Sequence, residues 1–336
     1  MLMMRETTVP LNNFSDDLQD SDLGDWMELS VLCSPALSLS FPDLQRQIGI
    51  MGEEDGEEAD LRAEETIQRL NEIIQDRMQR VGIDSYPFEY TEDGNHLILK
   101  ELIDSSTVYI FCLLLSHTRR GDVLNGSYLP NIDDSIRRCF QGCSTVAAAG
   151  FVQGNAIWFG FPRPDRSGFL TKLRSTYALI CDGAPVEVAI AGTSPSPKDE
   201  EIDIIAWSKR EDTALPAYYM LAQVASGNNW DVKSIKGQPI QTFHRNWFST
   251  SPACEPHAAM FMPMLFPLHT GATLDQQLQI LFAQFGQFLY RFSIPRYYHR
   301  GLALAASNPG LIIEGRECMP GIMQWVTEER AKLSAA

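Results

Sequence analysis

Apolar residues recur at helical spacing through the first part of the chain. In the acidic stretch 52–82 they fall three or four positions apart, acidic residues lead the run and basic residues close it. This pattern predicts an amphipathic helix whose charges complement the helix dipole. Its apolar positions are Ala63, Ile67, Leu70, Ile74, Met78 and Val81. Segments 25–33 and 41–50 carry similar spacing around a Ser-Pro turn and predict two further helices.

Two short apolar runs within residues 86–102 flank the sequence Glu-Asp-Gly-Asn, which predicts a β-hairpin. The longest apolar run, 106–116, is shorter than the ~20 residues that a membrane span needs and predicts one buried element. The first residues lack the basic region and apolar block of a secretory signal. We therefore expect a cytoplasmic protein without a membrane partner.

From residue 133 onward, helical and strand patterns alternate, which predicts an α/β domain. The predicted order is helix 133–152, strand 156–161, a helix after Ser167, strands 186–192, 201–207 and 217–225, a short helix at 228–237, strand 258–266 and helix 273–292. We expect three regions: an acidic flexible tail (1–24), a small N-terminal α/β domain (25–125) and a larger α/β domain (126–336).

Charge and cysteine content narrow the function classes only slightly. The net charge of −16 opposes long-range attraction to nucleic acids, but 14 acidic residues and only two basic ones lie within residues 1–60. A locally basic face in the remainder of the chain would still bind DNA. The seven cysteines are scattered, which predicts reduced thiols. Cys139 and Cys143 share a helix face, but no neighbouring Cys or His pair in the sequence completes a zinc site.

Two polar residues interrupt neighbouring apolar strands. Asp203 lies between isoleucines in strand 201–207, and Gln223 lies within strand 217–225. Because side chains alternate along a strand, Glu201 and Asp203 should share one face. If the two strands pair, Gln223 would add a neutral oxygen beside them. Carboxylate and amide oxygens suit Mg²⁺, which needs few protein ligands when water and phosphate complete its shell.

This arrangement resembles the core of the PD-(D/E)xK, or restriction-endonuclease-like, nuclease superfamily over residues 130–270. The resemblance implies a central mixed sheet flanked by helices, with Asp203 as the first acid and Gln223 in the second position. It also implies a helix position at Gln141. Around these residues, the sequence is similar to uncharacterised nuclease-like proteins of prokaryotic defence loci. That likeness implies antiviral defence and partner proteins from the same locus.

The resemblance implies a Mg²⁺-dependent (or Mn²⁺-dependent) DNA nuclease that hydrolyses phosphodiester bonds, with RNA as an open alternative. Three positions depart from the superfamily pattern: Ala225 stands where a lysine is expected, and amides replace acids at Gln141 and Gln223. Lys233 is the nearest replacement for the missing lysine. The ion would be weakly held by Asp203 and Glu201. A different function is also open: a catalytically inactive nuclease fold that serves as a binding or scaffold subunit, and an oligomer is compatible with both.

Simpler structural roles remain open for each of these residues. Asp203 is compatible with a salt bridge to Lys198 or Lys209, Gln223 with a buried amide and Lys233 with a solvated helix lysine. The segments 244–248 and 294–301 mix basic and aromatic residues, as nucleic-acid surfaces do, although an aromatic core with a basic rim gives the same pattern. The candidates for nucleic-acid backbone contacts are Arg245, Arg291, Arg296 and Arg300.

Overall fold

The computed structural model describes residues 11–51, 56–119, 121, 123–124, 128–194, 197–227, 229–269 and 271–335. The chain divides into two compact units. Unit 1 runs up to Asp133 and includes the chain from Ile322 onward, while unit 2 spans Asp134–Gly321. The predicted boundary at 125/126 lies outside the described residues. The last turns of the chain, predicted to belong to the larger domain, pack in unit 1.

Unit 1 combines helices with a small antiparallel sheet. The sheet has the order β1-β3-β2, and β2 and β3 form the hairpin predicted from the Glu-Asp-Gly-Asn turn. The elements of unit 1 are α1 (Asp20–Cys33), β1 (Ser38–Ser40), α2 (Phe41–Met51), α3 (Glu57–Val81), β2 (Phe88–Tyr90), β3 (His96–Leu99) and α4 (Asp104–Ser116). Helix α1 begins at Asp20, inside the segment predicted as a flexible tail. The predicted helix residues 52–55 lie outside the described residues.

A buried charged group holds α1 and α3 together. Arg77, predicted only as a basic residue near the end of α3, is 2% exposed and forms ion pairs with Asp25 (2.7 Å) and Glu28 (2.9 Å). The hydroxyls of Tyr86 and Tyr109 donate to the same Glu28 carboxylate, at 2.7 and 2.8 Å. Such a group is favourable only when its charges and hydrogen bonds compensate one another. Arg77 is therefore a core residue of unit 1.

Unit 2 alternates helices and strands. Its elements are α5 (Asp134–Val152), β4 (Asn155–Trp158), α6 (Phe169–Ile180), β5 (Ala184–Pro185), β6 (Ile204–Lys209), β7 (Pro216–Val224), α7 (Gln238–Trp247), β8 (Phe248–Thr250), β9 (His257–Phe261), α8 (Leu274–Phe285), β10 (Gln287–Leu289) and α9 (Ile294–Ser307), with 3₁₀ turns at Trp230–Val232 and Arg316–Cys318. Helix α10 (Met319–Ala335) begins in unit 2 and continues into unit 1.

The central sheet of unit 2 has the strand order β10-β9-β7-β6-β4. Strands β4, β6 and β7 pair antiparallel, whereas β7, β9 and β10 pair parallel, so the sheet is mixed. A separate two-stranded sheet pairs β5 with β8. The predicted α/β class and the central mixed sheet flanked by helices are confirmed.

Different helices cover the two faces of this sheet. On one face, Ile205, Trp207, Tyr219 and Leu221 pack in an aromatic core with side chains from α6 and α7. On the other face, α5 packs against β4, β6 and β7, and α9 packs against α5. Glycine at position 301 of α9 allows this close packing, because a Cβ there would clash with a backbone carbonyl of α5. We call these the aromatic face and the α5 face.

Several predicted elements differ from the observed ones. Residues 186–192 form no strand, and only Ala184–Pro185 before them pairs with β8. The predicted helix 273–292 ends at Phe285, where Gly286 has φ 84°, and the apolar residues that follow form β10. Helix α9 covers a segment that the sequence analysis treated only as a basic and aromatic surface. Within the described part of the chain, no helix has the length and apolar content to cross a membrane.

Candidate functional site

Asp203 lies just before β6, at a break in the strand's alternation. Ile202 and Ile205 both belong to the aromatic core, although residues an odd number apart face opposite sides of a regular strand. The Asp203 N–H donates to the Ala222 carbonyl (2.9 Å), while Ala222 pairs in register with Ile204. We infer one extra residue here, as in a β-bulge. The bulge turns the Asp203 side chain to the α5 face.

The backbone and side chain of Asp203 are both held by neighbouring strands. Its carbonyl accepts hydrogen bonds from the N–H groups of Phe159 and Gly160, each at 2.8 Å. Its Oδ2 accepts from the Val224 N–H of β7, also at 2.8 Å. The carboxylate thus replaces a backbone acceptor where the β6–β7 ladder ends. This interaction is structural, and it differs from the predicted salt bridge to Lys198 or Lys209.

Gln141 of α5 lies beside Asp203, as the helix position in the superfamily pattern implied. Its Nε2 is 3.4 Å from the Asp203 carbonyl. A Cβ on Gly160 would clash with both Gln141 Nε2 and Asp203 Oδ1, so these two polar atoms converge on one small space. Glycine at 160 keeps that space open. Gln141 itself is 8% exposed, so this amide is almost enclosed by α5 and the sheet.

Gln223 does not join Asp203. Along β7 it lies on the same face as Tyr219 and Leu221 of the aromatic core, because residues two apart point to the same side, and its parallel partner on β9 is Met260. Gln223 therefore points to the aromatic face, whereas Asp203 points to the α5 face. Its Oε1 is buried without a hydrogen-bond partner. The expectation of a common pocket for Asp203 and Gln223 fails because the bulge changes the alternation on one strand but not on the other.

Glu201 also lies apart from the predicted position. Glu200 and Glu201 adopt left-handed backbone conformations (φ 53° and 67°) in a turn before the strand, and Glu201 is exposed. The two-residue alternation that would align Glu201 with Asp203 therefore does not apply. Instead, the charge of Asp199, a residue not predicted from the sequence, raises the pKa of the Asp203 carboxyl. The Asp199 carboxylate accepts the N–H groups of Phe161 (3.0 Å) and Glu201 (3.2 Å).

The surroundings raise the pKa of Asp203 to about 7. Burial is the largest cause, and the Asp199 charge adds to it. The Val224 N–H and the Lys233 ammonium act in the opposite direction, because both stabilise the carboxylate. Lys233 is partly exposed and follows the 3₁₀ turn Trp230–Val232. Ala225, where the superfamily pattern has lysine, is buried.

The four arginine candidates do not form one surface. Arg245 is exposed on α7, on the aromatic side of the sheet, whereas Arg296 and Arg300 are on α9, which packs on α5. Arg300 lies 5.3 Å from the ring centroid of Tyr297. Arg291 is 0% exposed and belongs to the interior, so it is excluded as a contact to nucleic acid.

The donor groups around Asp203 are few. Among the described residues, no group of three or more His, Cys, Asp or Glu side chains is arranged to hold a metal ion. Asp199 and Asp203 provide a pair of carboxylates, and each oxygen that accepts one N–H keeps a further lone pair. Magnesium uses one or two protein carboxylates when water and phosphate oxygens complete its shell, so Asp199 and Asp203 are the candidate ligands at this position. Comparison with models of known protein families, with curated proteins and with solved structures found no match for this chain.

Proposed function

We propose that unit 2 is a divergent member of the restriction-endonuclease-like fold and a weak Mg²⁺- or Mn²⁺-dependent nuclease. The element order supports the fold proposal: a helix, three antiparallel strands, a further helix and a strand parallel to the third (α5, β4, β6, β7, α7, β9). The resemblance implies a central mixed sheet flanked by helices, with a helix position at Gln141, and α5 carries that residue. The site proposal depends on a single observation: just before β6, the Asp203 carboxylate converges with the Gln141 amide on the space that Gly160 leaves open, where the charges of Asp199 and Lys233 also act on it.

Each residue of this group has a distinct role in the proposed hydrolysis. Asp203 and Asp199 would hold the divalent ion, which supplies charge neutralisation at the phosphate and a more acidic bound water. Relief of the repulsion between the two carboxylates favours cation binding. Lys233 offsets the negative charge that develops on the phosphate. Gln141 donates to the Asp203 backbone carbonyl and so helps to position that residue, and Gln223 takes no part because it faces the aromatic core.

The test is a cleavage assay with matched variants. Purified protein is incubated with plasmid DNA, single-stranded DNA and RNA, each with Mg²⁺ or Mn²⁺. We expect slow cleavage by the native chain, a loss of at least about 100-fold in Asp203→Ala and Asp199→Ala, and a smaller loss in Lys233→Ala. Asp212→Ala is the control, since Asp212 is an exposed acid paired with Arg210. Equal cleavage by Asp203→Ala and the native chain would refute the site.

A second function is supported by the position of Gln223 and by Ala225. Gln223 points away from Asp203, and Ala225 has no polar group. The loss of both positions favours a catalytically inactive fold that binds nucleic acid or serves as a scaffold for a partner protein. This function predicts no cleavage under any of the conditions above. Fluorescence anisotropy with labelled single-stranded and duplex DNA then separates a nucleic-acid binder from a scaffold, because only the binder retains salt-dependent affinity.

A further inference from the structure

Three cysteines of unit 2 converge, although the sequence separates one of them widely from the other two. Cys139 and Cys143 lie on α5, and Cys318 closes the 3₁₀ turn Arg316–Cys318. Cys318 lies against α5, since a Cβ on Gly142 would be 3.1 Å from Cys318 Cβ and would overlap with its Sγ. Cys139 precedes Gly142 by one turn on the same face of α5, and of all groups it has the largest influence on the Cys318 thiol. No pattern in the sequence predicts Cys318 as a neighbour of the Cys139–Cys143 pair.

Cys139 and Cys318 differ from Cys143 in their access to solvent. Both are partly exposed, whereas Cys143 is buried and its Sγ donates to the Phe140 carbonyl (3.2 Å). Cys139 Sγ also lies 3.5 Å from the Cβ position of Gly321, an exposed glycine. A small oxidant can therefore reach the Cys139–Cys318 pair from this side of the fold, while Cys143 is shielded from it.

We propose that Cys139 and Cys318 are a redox-active thiol pair that closes to a disulfide when the protein meets a peroxide. The Cys139 thiolate attacks one peroxide oxygen and breaks the O–O bond, which gives a sulfenic acid and, after proton uptake, one water. The Cys318 sulfur then attacks the sulfenic sulfur, the S–S bond forms and a second water leaves. Two thiols lose two electrons in total, and hydrogen peroxide is reduced to two waters.

The raised pKa of Cys318 distinguishes the roles of the two thiols. The pKa of Cys318 is raised, first by its hydrogen bond with Cys139 and then by burial. A raised pKa keeps the Cys318 thiol protonated, and a protonated thiol is a poor attacking nucleophile. Cys139 is therefore the attacking thiolate and Cys318 the resolving thiol. This order matches the sensor cysteines that carry a resolving cysteine beside them.

The disulfide would lock a segment that protects the sheet edge. Strand β4 is the edge strand of the central sheet, and residues 312–314 cover it: Ala156 N–H donates to the Ile312 carbonyl (2.9 Å), and Glu314 N–H donates to the Ala156 carbonyl (3.1 Å). Cys318 follows this segment directly. A bond from Cys318 to α5 fixes the C-terminal end of the covering segment against α5 and helps to keep the edge from pairing with other chains.

The test is mass spectrometry of the full chain after exposure to hydrogen peroxide. The protein is treated, blocked with an alkylating reagent and digested without reductant. We expect a peptide pair joined between Cys139 and Cys318 that reductant separates, while the exposed Cys181 stays unlinked. A Cys143→Ser variant should form the same bond, and Cys139→Ser should not. The oxidised native chain should also melt roughly 5 °C or more above the reduced chain.

Several results would overturn the proposal. Thiols at 139 and 318 that both remain open to alkylation after hours of exposure would exclude a redox pair. A bond from Cys318 to Cys143 would show that the wrong pair was assigned, and sulfinic acid at Cys139 without any bond would show that Cys318 does not resolve it. Since the native chain alone gives these results, misfolding of a variant does not affect the conclusion.

Discussion

The raised pKa of Asp203 makes the stability of the protein depend on pH in a direction opposite to most aspartates. In the folded chain the carboxyl keeps its proton up to a pKa of about 7, whereas the ordinary value is 3.8. The variant Asp203→Asn removes this titration with little change of shape. Its amide oxygen can still accept the Val224 N–H, so the end of the β6–β7 ladder should remain intact.

The sign and size of the effect follow from proton linkage. Between pH 4 and pH 7 the folded state binds one proton more than the unfolded state, so the free energy of unfolding falls as pH rises through this window. Each pH unit costs about 1.4 kcal/mol, and the window spans about three units, which gives a loss of about 4 kcal/mol at most. Because the side chain is partly exposed, solvent screening reduces this figure.

Urea unfolding of the native chain and of Asp203→Asn, measured from pH 4 to pH 8, tests this reasoning. We expect the two proteins to match near pH 4 and the variant to be more stable by roughly 2–4 kcal/mol at pH 8. Asp212→Asn is the control, because burial plays no large part at that exposed acid. Parallel curves for the native chain and Asp203→Asn across the whole range would refute the raised pKa of Asp203.

Three further perturbations test other parts of the structure. Lys233→Ala removes a charge that lowers the pKa of Asp203, so the pH at which stability is lost should rise, as measured by the same urea series. Gly301→Ala places a Cβ against an α5 carbonyl and should cost ~1–3 kcal/mol in urea unfolding, whereas Gly310→Ala, in open space, should be neutral. Arg77→Ala removes the buried cation that compensates the charges of Asp25 and Glu28 and should cost about 3–5 kcal/mol, against less than about 1 kcal/mol for removal of an exposed surface pair.

The sequence predicted most elements because periodicity and turn residues are local signals. The apolar face of α3, the hairpin at 88–99 and the start of the helix predicted from residue 273 are all present in the structure. The helix predicted through residue 292 was wrong because Gly286 ends it and an apolar strand follows with a similar composition. A helix and a buried strand cannot be separated by composition when both are short and apolar.

The site was only partly predictable because its geometry depends on one extra residue. The choice of Asp203 depended on a polar residue in an apolar run, and the position of Gln141 depended on the superfamily pattern. The expectation that Glu201, Asp203 and Gln223 lie together assumed regular alternation of side chains along both strands. A left-handed turn at 200–201 and the bulge at 203 break that regularity, and neither leaves a glycine or proline in the sequence as a signal. The convergence of Cys318 with α5 is a tertiary contact that no local pattern encodes.

The electrostatics of Asp203 link the two proposed functions to one measurable property. A neutral Asp203 is a poor ligand, so any cation must supply the free energy that ionises it, and its affinity should rise with pH up to about 7. An inactive fold has no such requirement: the carboxyl would stay protonated near neutrality and serve only as an acceptor for the Val224 N–H. Added Mg²⁺ should therefore flatten the pH dependence of unfolding if the site binds the ion, and leave it unchanged if Asp203 is only structural. The same titration thus tests, before any nucleic acid is added, for the ion site that the proposed hydrolysis requires and the inactive fold does not.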